Sequence, residues 1–172
     1  MLEPKTHSGK LEAEGFKFAI IESSWNDFLT TRLTAGALET LEKCGVKEED
    51  VEVFKVPGSY ELPLTAKKVA EMGKFDAIIC LGVVIRGETP HFDFVAGEAA
   101  AGITSVGLES GTPVTFGVIT ADNLEQALNR SGIKSGNKGV EAAETAVQIA
   151  NLYKAIGGGK KPEDDKAFPH AV

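Results

Sequence analysis

Residues 82–93 read Gly-Val-Val-Ile-Arg-Gly-Glu-Thr-Pro-His-Phe-Asp, and they predict a strand that ends where a helix begins. Residues 77–85 are almost wholly apolar, which is typical of a strand covered on both faces. Thr89 and Pro90 then form a helix start signal, with Thr89 as the N-cap and Pro90 as the first helical residue. The stretch therefore predicts a central parallel strand followed directly by a helix.

His91 falls in the first turn of that predicted helix, just past the carboxyl end of the strand. Unpaired backbone N–H groups and the positive end of the helix dipole meet at such a position, so it suits an anion such as phosphate. An imidazole beside a bound anion can move protons. The alternative is a surface turn with an incidental histidine, and the local pattern alone does not decide between them.

Strand and helix patterns alternate along the rest of the chain. The predicted strands cover residues 16–22, 51–56, 77–85 and 114–119, and the predicted helices cover residues 27–44, 61–72, 90–108, 126–130 and 138–156. Such alternation predicts an α/β three-layer sandwich, in which a four-stranded parallel sheet carries helices on both faces.

Turn and cap signals predict the limits of this domain. Residues 1–15 are polar and indicate an N-terminal arm, with a short strand at residues 9–11. Residues 16–156 are expected to form a single α/β domain, in which Asp122 caps the fourth helix. Residues 157–172 combine glycines, prolines and charges, which is typical of a flexible C-terminal tail.

The composition narrows the function classes. The chain has 172 residues, 42% of them hydrophobic, and a formal net charge of −7, which indicates one soluble globular domain. The acidic balance argues against nucleic acid or a membrane as a partner, and no apolar run approaches the ~20 residues of a transmembrane helix. Cys44 and Cys80 lie in apolar patterns and are expected to be buried reduced thiols, which favours a cytoplasmic location. The histidines and cysteines show no metal-ligand spacing, so no metal is expected.

Unusual residues collect where the predicted strands end. Ser24-Trp25-Asn26 follows the first strand, Ser59-Tyr60-Glu61 follows the second, residues 86–91 follow the third, and residues 116–122 surround the end of the fourth. The carboxyl ends of parallel strands lie at one edge of a sheet, where ligands bind in folds of this kind. The four sets together therefore predict a binding site.

Each of these residues also has a simpler structural role. Trp25 and Tyr60 could stack on a planar heterocycle, but a half-buried turn aromatic is the simpler interpretation of either one alone. Arg130 and Lys138 could bind a phosphate, although a lone surface charge is more common. Glu61 could accept hydrogen bonds from a ligand or only stabilise the first turn of its helix.

The sequence lacks the motifs of several common enzyme classes. No Gly-x-Gly-x-x-Gly follows the first strand, no Gly-x-x-x-x-Gly-Lys-Ser/Thr occurs, and there is no Gly-x-Ser-x-Gly elbow. Dinucleotides and nucleoside triphosphates are therefore disfavoured as ligands. The residues alone indicate a small planar ligand, an anion and one histidine that moves protons, but they do not give the reaction.

Several motifs, in a fixed order and spacing, match a known family. They are residues 56–63 (Val-Pro-Gly-Ser-Tyr-Glu-Leu-Pro), 82–94, 116–120 (Phe-Gly-Val-Ile-Thr), 125–127 (Glu-Gln-Ala) and 136–139 (Gly-Asn-Lys-Gly). On these motifs, the chain resembles the 6,7-dimethyl-8-ribityllumazine synthase family over residues 9–156.

The resemblance implies a flavodoxin-like fold and a transferase of riboflavin biosynthesis. Such an enzyme condenses 5-amino-6-(D-ribitylamino)uracil with 3,4-dihydroxy-2-butanone 4-phosphate to 6,7-dimethyl-8-ribityllumazine, phosphate and water, and it needs no cofactor and no metal. The resemblance also implies a homopentamer, and residues 132–139 lack the insertion that accompanies free pentamers, which favours a 60-subunit icosahedral shell. It further suggests an association with riboflavin synthase. The alternative is a flavin-binding or storage shell without catalysis.

The resemblance also assigns roles to individual residues. His91 matches the proton-transfer residue. The contacts of the pyrimidine and the ribityl chain match Trp25, Ser59, Tyr60, Glu61, Val83, Val84, Ile85, Phe116 and Lys138. The groups that bind the butanone phosphate match Glu88, Thr89 and Arg130. In the family, the pocket lies between adjacent subunits, and the residues that match Phe116, Arg130 and Lys138 come from the neighbour.

Two positions depart from the common family pattern. Many relatives have Phe where this chain has Trp25, which changes the ring but keeps an aromatic side chain. Many also have a small residue at the position of Glu88. Because a carboxylate near a phosphate is unfavourable, we expect backbone contacts to the phosphate there, with the Glu88 side chain turned away.

Overall fold

A computed structural model of the protein describes residues 1–134 and 136–157. Its strands are β1 (Phe18–Ser23), β2 (Val51–Val56), β3 (Ala77–Ile85) and β4 (Val114–Ala121). Its α-helices are α1 (Asp27–Lys43), α2 (Leu62–Glu71), α3 (His91–Ser110), α4 (Leu124–Asn129) and α5 (Lys138–Ile156). The strands pair in parallel in the order β2-β1-β3-β4. The predicted α/β fold with a four-stranded parallel sheet is confirmed.

The two faces of the sheet carry different helices. Side chains of β1 alternate between the faces, because successive residues of a strand point in opposite directions. Phe18 and Ile20 pack in a core with α1 and α5, and Ala19 and Ile21 pack in a second core with α2 and α3. All four side chains are fully buried, so the sheet is the middle layer of a three-layer sandwich.

The joint between α1 and α5 explains part of the Gly-Asn-Lys-Gly motif. The side-chain oxygen of Asn137 accepts a hydrogen bond from the Gly139 N–H over 2.8 Å and so caps α5, and its Nδ2 donates to the Arg32 carbonyl over 3.1 Å. A Cβ atom on Gly139 would lie only 1.9 Å from the Leu33 carbonyl oxygen. A glycine is therefore required for the two helices to approach this closely.

Several element bounds agree with the sequence prediction, and others shift by a few residues. The predicted bounds of β2, β3 and α5 match the structure to the residue. The first strand was predicted at residues 16–22 and is observed as β1 at Phe18–Ser23. Helix α1 ends at Lys43, one residue before its predicted end at Cys44. Thr89 is not the cap of α3, because the helix begins at His91 with Pro90 in the cap position and no side-chain cap.

The predicted cap of the fourth helix was wrong by one residue. Strand β4 continues to Ala121, which pairs with Ile85, so the chain turns later than predicted. Asn123 is the N-cap, and its side chain accepts a hydrogen bond from the Gln126 N–H over 2.9 Å. Asp122 instead uses its backbone N–H, which donates to the Gln126 side chain over 2.9 Å.

The N-terminal arm has no strand at residues 9–11, so that prediction was wrong. The arm runs along α5, where Asn151 Nδ2 donates to the carbonyl oxygens of Lys10 and Glu12 over 3.2 and 2.7 Å. These carbonyls are held by a helix side chain instead of by a sheet. Of the predicted tail at residues 157–172, only Gly157 belongs to the described residues. The division into arm, domain and tail stays a prediction.

The cysteines differ in burial. Cys80 on β3 is buried, as predicted, and burial raises the pKa of its thiol to about 12. Cys44 at the end of α1 is half-buried, so the prediction of full burial was wrong; burial and then the Glu144 carboxylate raise its pKa. In the part of the chain that the structure describes, no helix is both long and apolar enough to span a membrane.

Candidate active site

The turn after β1 forms hydrogen bonds with the ends of both neighbouring strands, β2 and β3. The Ser24 N–H donates to the Val56 carbonyl over 2.8 Å, and the Trp25 N–H donates to the Pro57 carbonyl over 3.0 Å. Asn26 adopts a left-handed backbone with φ of 60°, and its Nδ2 donates to the Val83 carbonyl over 3.2 Å. The indole of Trp25, 71% exposed, is thus presented by a turn with hydrogen bonds on two sides.

The turn after β2 forms the next part of the site. The Gly58 N–H donates to the Glu61 carboxylate over 3.0 Å, which closes a single 3-10 turn over Ser59–Glu61. Tyr60 is 58% exposed, whereas the Ser59 hydroxyl is buried. A Cβ atom on Gly82 would lie 2.5 Å from the Ser59 Oγ, so the glycine leaves room for this hydroxyl beside β3.

These turns surround a cleft of about 540 Å³ at the carboxyl edge of the sheet. The end of β3 and the start of α3 complete its walls, and the volume suits a small organic ligand. The sequence-predicted residues that line it are Trp25, Ser59, Tyr60, Glu61, Val83, Val84, Ile85, Thr89 and His91. The prediction that the strand ends form a common site is thus supported for the first three strands.

Sequence reasoning missed several residues of this cleft. Phe92, Phe94 and Val95 on α3 line it, and so does Pro57 in the turn after β2. Helical spacing carried a usable signal, because residues three and four positions after His91 lie on its face of the helix. Asn26, which belongs to the predicted set after the first strand, also lines the cleft, but its hydrogen bond could not be predicted, since the partner is a carbonyl of β3 far along the chain.

Other predicted residues lie elsewhere. Phe116 and Lys138 line a second cleft of about 630 Å³, formed by the later half of α3, β4 and α5. Phe116 is 43% exposed, and the Lys138 ammonium pairs with the Glu141 carboxylate. Arg130, exposed at the end of α4, lines neither cleft. The exposed Glu88 also lines neither, although its neighbour Thr89 does line the first.

The first cleft lacks a positively charged side chain that could bind an anionic ligand, because no lysine or arginine among residues 1–134 and 136–157 lines it. Arg86 is close along the chain, but its guanidinium binds the carboxylates of Asp93 and Asp122, and these hydrogen bonds raise its pKa. The described residues also contain no cluster of three or more His, Cys, Asp or Glu side chains that could hold a metal ion. Among the described residues, the first cleft thus contains aromatic rings and a histidine but no lysine or arginine.

The comparison with known protein families decides the identity. A family model described as 6,7-dimethyl-8-ribityllumazine synthase matches residues 15–154. The chain belongs to this family.

The family match confirms the resemblance and the reaction that it implies. The protein is a transferase of riboflavin biosynthesis that condenses 5-amino-6-(D-ribitylamino)uracil with 3,4-dihydroxy-2-butanone 4-phosphate. Its substrates are small molecules, and the match favours the lumazine synthase over the alternative of a flavin-binding shell without catalysis. The match covers all four strands and extends into the last turn of α5, so the clefts described above lie within the matched region.

Proposed function

We propose that the lumazine synthase site of this protein is shared between two neighbouring subunits. The observation that carries the proposal is the division of the family-matched residues between two clefts of one subunit. The first cleft has Trp25, Tyr60 and His91 but no lysine or arginine among the described residues. Phe116 and Lys138 line the second cleft. A phosphate-bearing substrate needs a cation, and a neighbour can supply one.

In this proposal, the first cleft binds the ribitylaminouracil. Trp25 and Tyr60 are exposed aromatic side chains on fixed turns, so they suit stacking on the planar pyrimidine. The end of β3, residues 83–85, forms the wall beside the ring. Ser59 and Glu61 belong to the turn that we assign to the ribityl chain. The Ser59 hydroxyl is buried beside the cleft, and the Glu61 carboxylate, which accepts from the Gly58 N–H, keeps lone pairs that can accept from the ribityl hydroxyls.

The start of α3 receives the butanone phosphate and moves protons. Thr89 lies in the segment before the helix, where backbone N–H groups and the helix dipole favour an anion. Glu88 contributes its backbone there, with its side chain in solvent. His91, on the first turn, exchanges protons as the amine attacks the ketone, the imine forms, phosphate leaves and the ring closes. The substrates supply the reactivity, and the site mainly orients them.

The neighbouring subunit supplies the second half of the site. Arg130 binds the leaving phosphate with its fork of donors, and Phe116 and Lys138 contact the pyrimidine and the ribityl chain. A homopentamer creates such an interface at every subunit, and we propose that pentamers assemble further into a 60-subunit shell. Exposed apolar side chains support an assembly, among them Phe94 at 68% and Leu108 at 81% exposure.

We propose an N-terminal arm of residues 1–15, a catalytic domain of residues 16–156 and a tail of residues 157–172. A cytoplasmic location and an association with riboflavin synthase are likewise proposed, the first from the composition and the second from the family resemblance.

A direct assay tests the shared site together with the function. The purified protein is mixed with both substrates, and lumazine fluorescence is followed against mixtures that lack one substrate. We expect product from the wild type and a strong loss with Arg130→Ala, whose side chain lies outside the first cleft. Normal activity of a verified Arg130→Ala assembly would contradict the role of the neighbour. Riboflavin binding by the wild type without any product would favour a flavin-binding shell.

A further inference from the structure

Arg86 connects three segments around the start of α3. Its backbone N–H donates to the Ala121 carbonyl over 2.8 Å, which extends the pairing of β3 with β4. Its guanidinium donates to both carboxylate oxygens of Asp93 on α3, over 3.0 and 3.2 Å, and through Nε to Asp122 over 3.1 Å. This bidentate contact with Asp93 fixes the orientation of the two side chains as well as the distance between them.

The same guanidinium also contacts a wall of the first cleft. The Cζ of Arg86 lies 4.1 Å from the centre of the Phe92 ring, in the geometry of a cation–π contact. Phe92 lines the cleft beside His91, whereas Arg86 itself does not line it. Arg86 thus touches the site only through other residues.

The segment that follows Arg86 packs little of its surface against the rest of the protein. Residues 87–90 are exposed, and they carry Thr89 directly before the first turn of α3. At the far end of this segment, the Pro90 carbonyl accepts a hydrogen bond from the Asp93 N–H in the first turn of α3 over 3.0 Å. The position of residues 87–90 therefore depends on how firmly their two ends, Arg86 and the first turn of α3, are joined.

We propose that Arg86 is a positioning residue, which holds residues 87–90 and the first turn of α3 in the geometry that receives the phosphate-bearing substrate. The inference rests on the proposed roles of Thr89 and His91. The inference distinguishes the two substrates, because other hydrogen bonds fix the turns of the stacking side. The turn that carries Trp25 is bonded to the Val56, Pro57 and Val83 carbonyls, and the turn that carries Tyr60 is closed by the Gly58 N–H and the Glu61 carboxylate. Loss of Arg86 affects the phosphate side of the cleft and leaves the stacking side in place.

The test compares Arg86→Ala with Arg86→Lys and with the control Arg32→Ala, which removes an exposed arginine of α1 that has no ion pair among the described residues. Hydrogen exchange is measured at residues 87–92, and KM is measured for each substrate. For Arg86→Ala, we expect faster exchange and a KM for the butanone phosphate raised about tenfold, because small losses of orientation are costly. The KM for the uracil substrate and the riboflavin affinity should change less than about twofold.

The Arg86→Lys variant separates the effect of the positive charge from that of the planar guanidinium group. Lysine keeps the charge but has no planar fork, so Arg86→Lys should restore only part of the phosphate-substrate KM. Unchanged exchange at residues 87–92, or an equal rise of both KM values, would overturn the inference. If the wild type makes no lumazine, the proposed function fails instead, and the exchange data still decide whether Arg86 orders this segment.

Discussion

The backbone N–H of Lys138 donates a hydrogen bond to the carbonyl oxygen of Arg130 over 3.0 Å. An isolated bridge between Ser131 and Asn137 supports the same loop. The two cations are therefore fixed at neighbouring positions of the backbone, and neither of them lines the cleft that contains His91. This arrangement is expected of a site whose two halves are completed by different subunits.

Replacement of His91 tests its role as the proton-transfer group. His91→Ala should slow turnover by ~10²-fold or less, because a single acid or base contributes about 10² to 10⁴ and the substrates already react with each other. The KM values should change little. The matched control is His7→Ala, which removes a histidine of the N-terminal arm. Steady-state kinetics of both variants decide the point, and an unchanged rate would remove His91 from the mechanism.

Replacement of Trp25 tests the stacking surface. A ring that stacks on a pyrimidine should also stack on isoalloxazine, so riboflavin should compete with the uracil substrate and quench the emission of Trp25, the single tryptophan of the chain. Trp25→Ala should raise the Kd for riboflavin about tenfold or more, since loss of a stacked aromatic side chain costs ~1–3 kcal/mol of binding free energy.

Trp25→Phe is the matched control for this stacking role, because it keeps an aromatic ring at the same position. Flavin fluorescence reports binding in both variants, which lack the indole. Full affinity in Trp25→Ala, or wild-type emission that riboflavin does not change, would show that the indole does not stack on the ligand.

The close approach of α1 and α5 predicts a strong effect of one methyl group. Gly139→Ala places a Cβ 1.9 Å from the Leu33 carbonyl oxygen, so the helices must separate. Thermal or denaturant unfolding should show a loss of ~1–3 kcal/mol, the usual cost of overpacking. Gly97→Ala on α3 meets no atom within 4 Å and should be neutral or slightly stabilising. Equal effects of the two substitutions would contradict the packing explanation.

Burial of Cys80 predicts a loss of stability in alkali. Its folded pKa of about 12 exceeds the ordinary value of 9.0, so the folded state keeps a proton that the unfolded state has released between these values. The contribution is complete below pH 9 and falls by roughly 1.4 kcal/mol per pH unit above it. Between pH 8 and pH 10.5, the unfolding free energy of wild type should fall by about 2 kcal/mol more than that of Cys80→Ala. Parallel curves would contradict this.

The sequence predicted the elements that are defined by long uniform patterns. The apolar run of β3 and the helical spacing of α5 gave the correct bounds, because burial on the sheet depends on these side chains themselves. The start of α4 was misplaced, since β4 keeps pairing with β3 up to Ala121 and delays the turn. A local cap signal at Asp122 contains no information about that pairing.

The sequence predicted which residues belong to the site, but it did not predict the contacts that hold them in place. Strand ends and family motifs identified Trp25, Tyr60 and His91, and the structure places all three in one cleft. The contacts of Arg86 with Asp93 and Asp122 could not be read from the sequence, because Asp122 lies 36 positions away and the pairing depends on the sheet order. The roles of the family-matched residues stay predictions until variants are measured.

Complementation between inactive variants tests the shared site most directly. His91→Ala and Arg130→Ala are refolded together, and mixed rings are verified by native mass spectrometry. If the site joins His91 of one subunit to Arg130 of the next, roughly a quarter of the interfaces in random mixed rings are intact. Activity should then rise to about that fraction of wild type, well above either variant alone. Verified mixed rings no more active than the two separate variants would place both residues in one subunit.

A second mixture supplies the control and makes the measurement quantitative. The wild type is mixed in equal amounts with the double variant that carries both substitutions. A site shared between subunits leaves roughly a quarter of the interfaces intact, whereas a site within one subunit leaves about half. The account predicts equal activity from the two mixtures, near a quarter of wild type. About half of the wild-type activity in this mixture, with no recovery in the first, would contradict it.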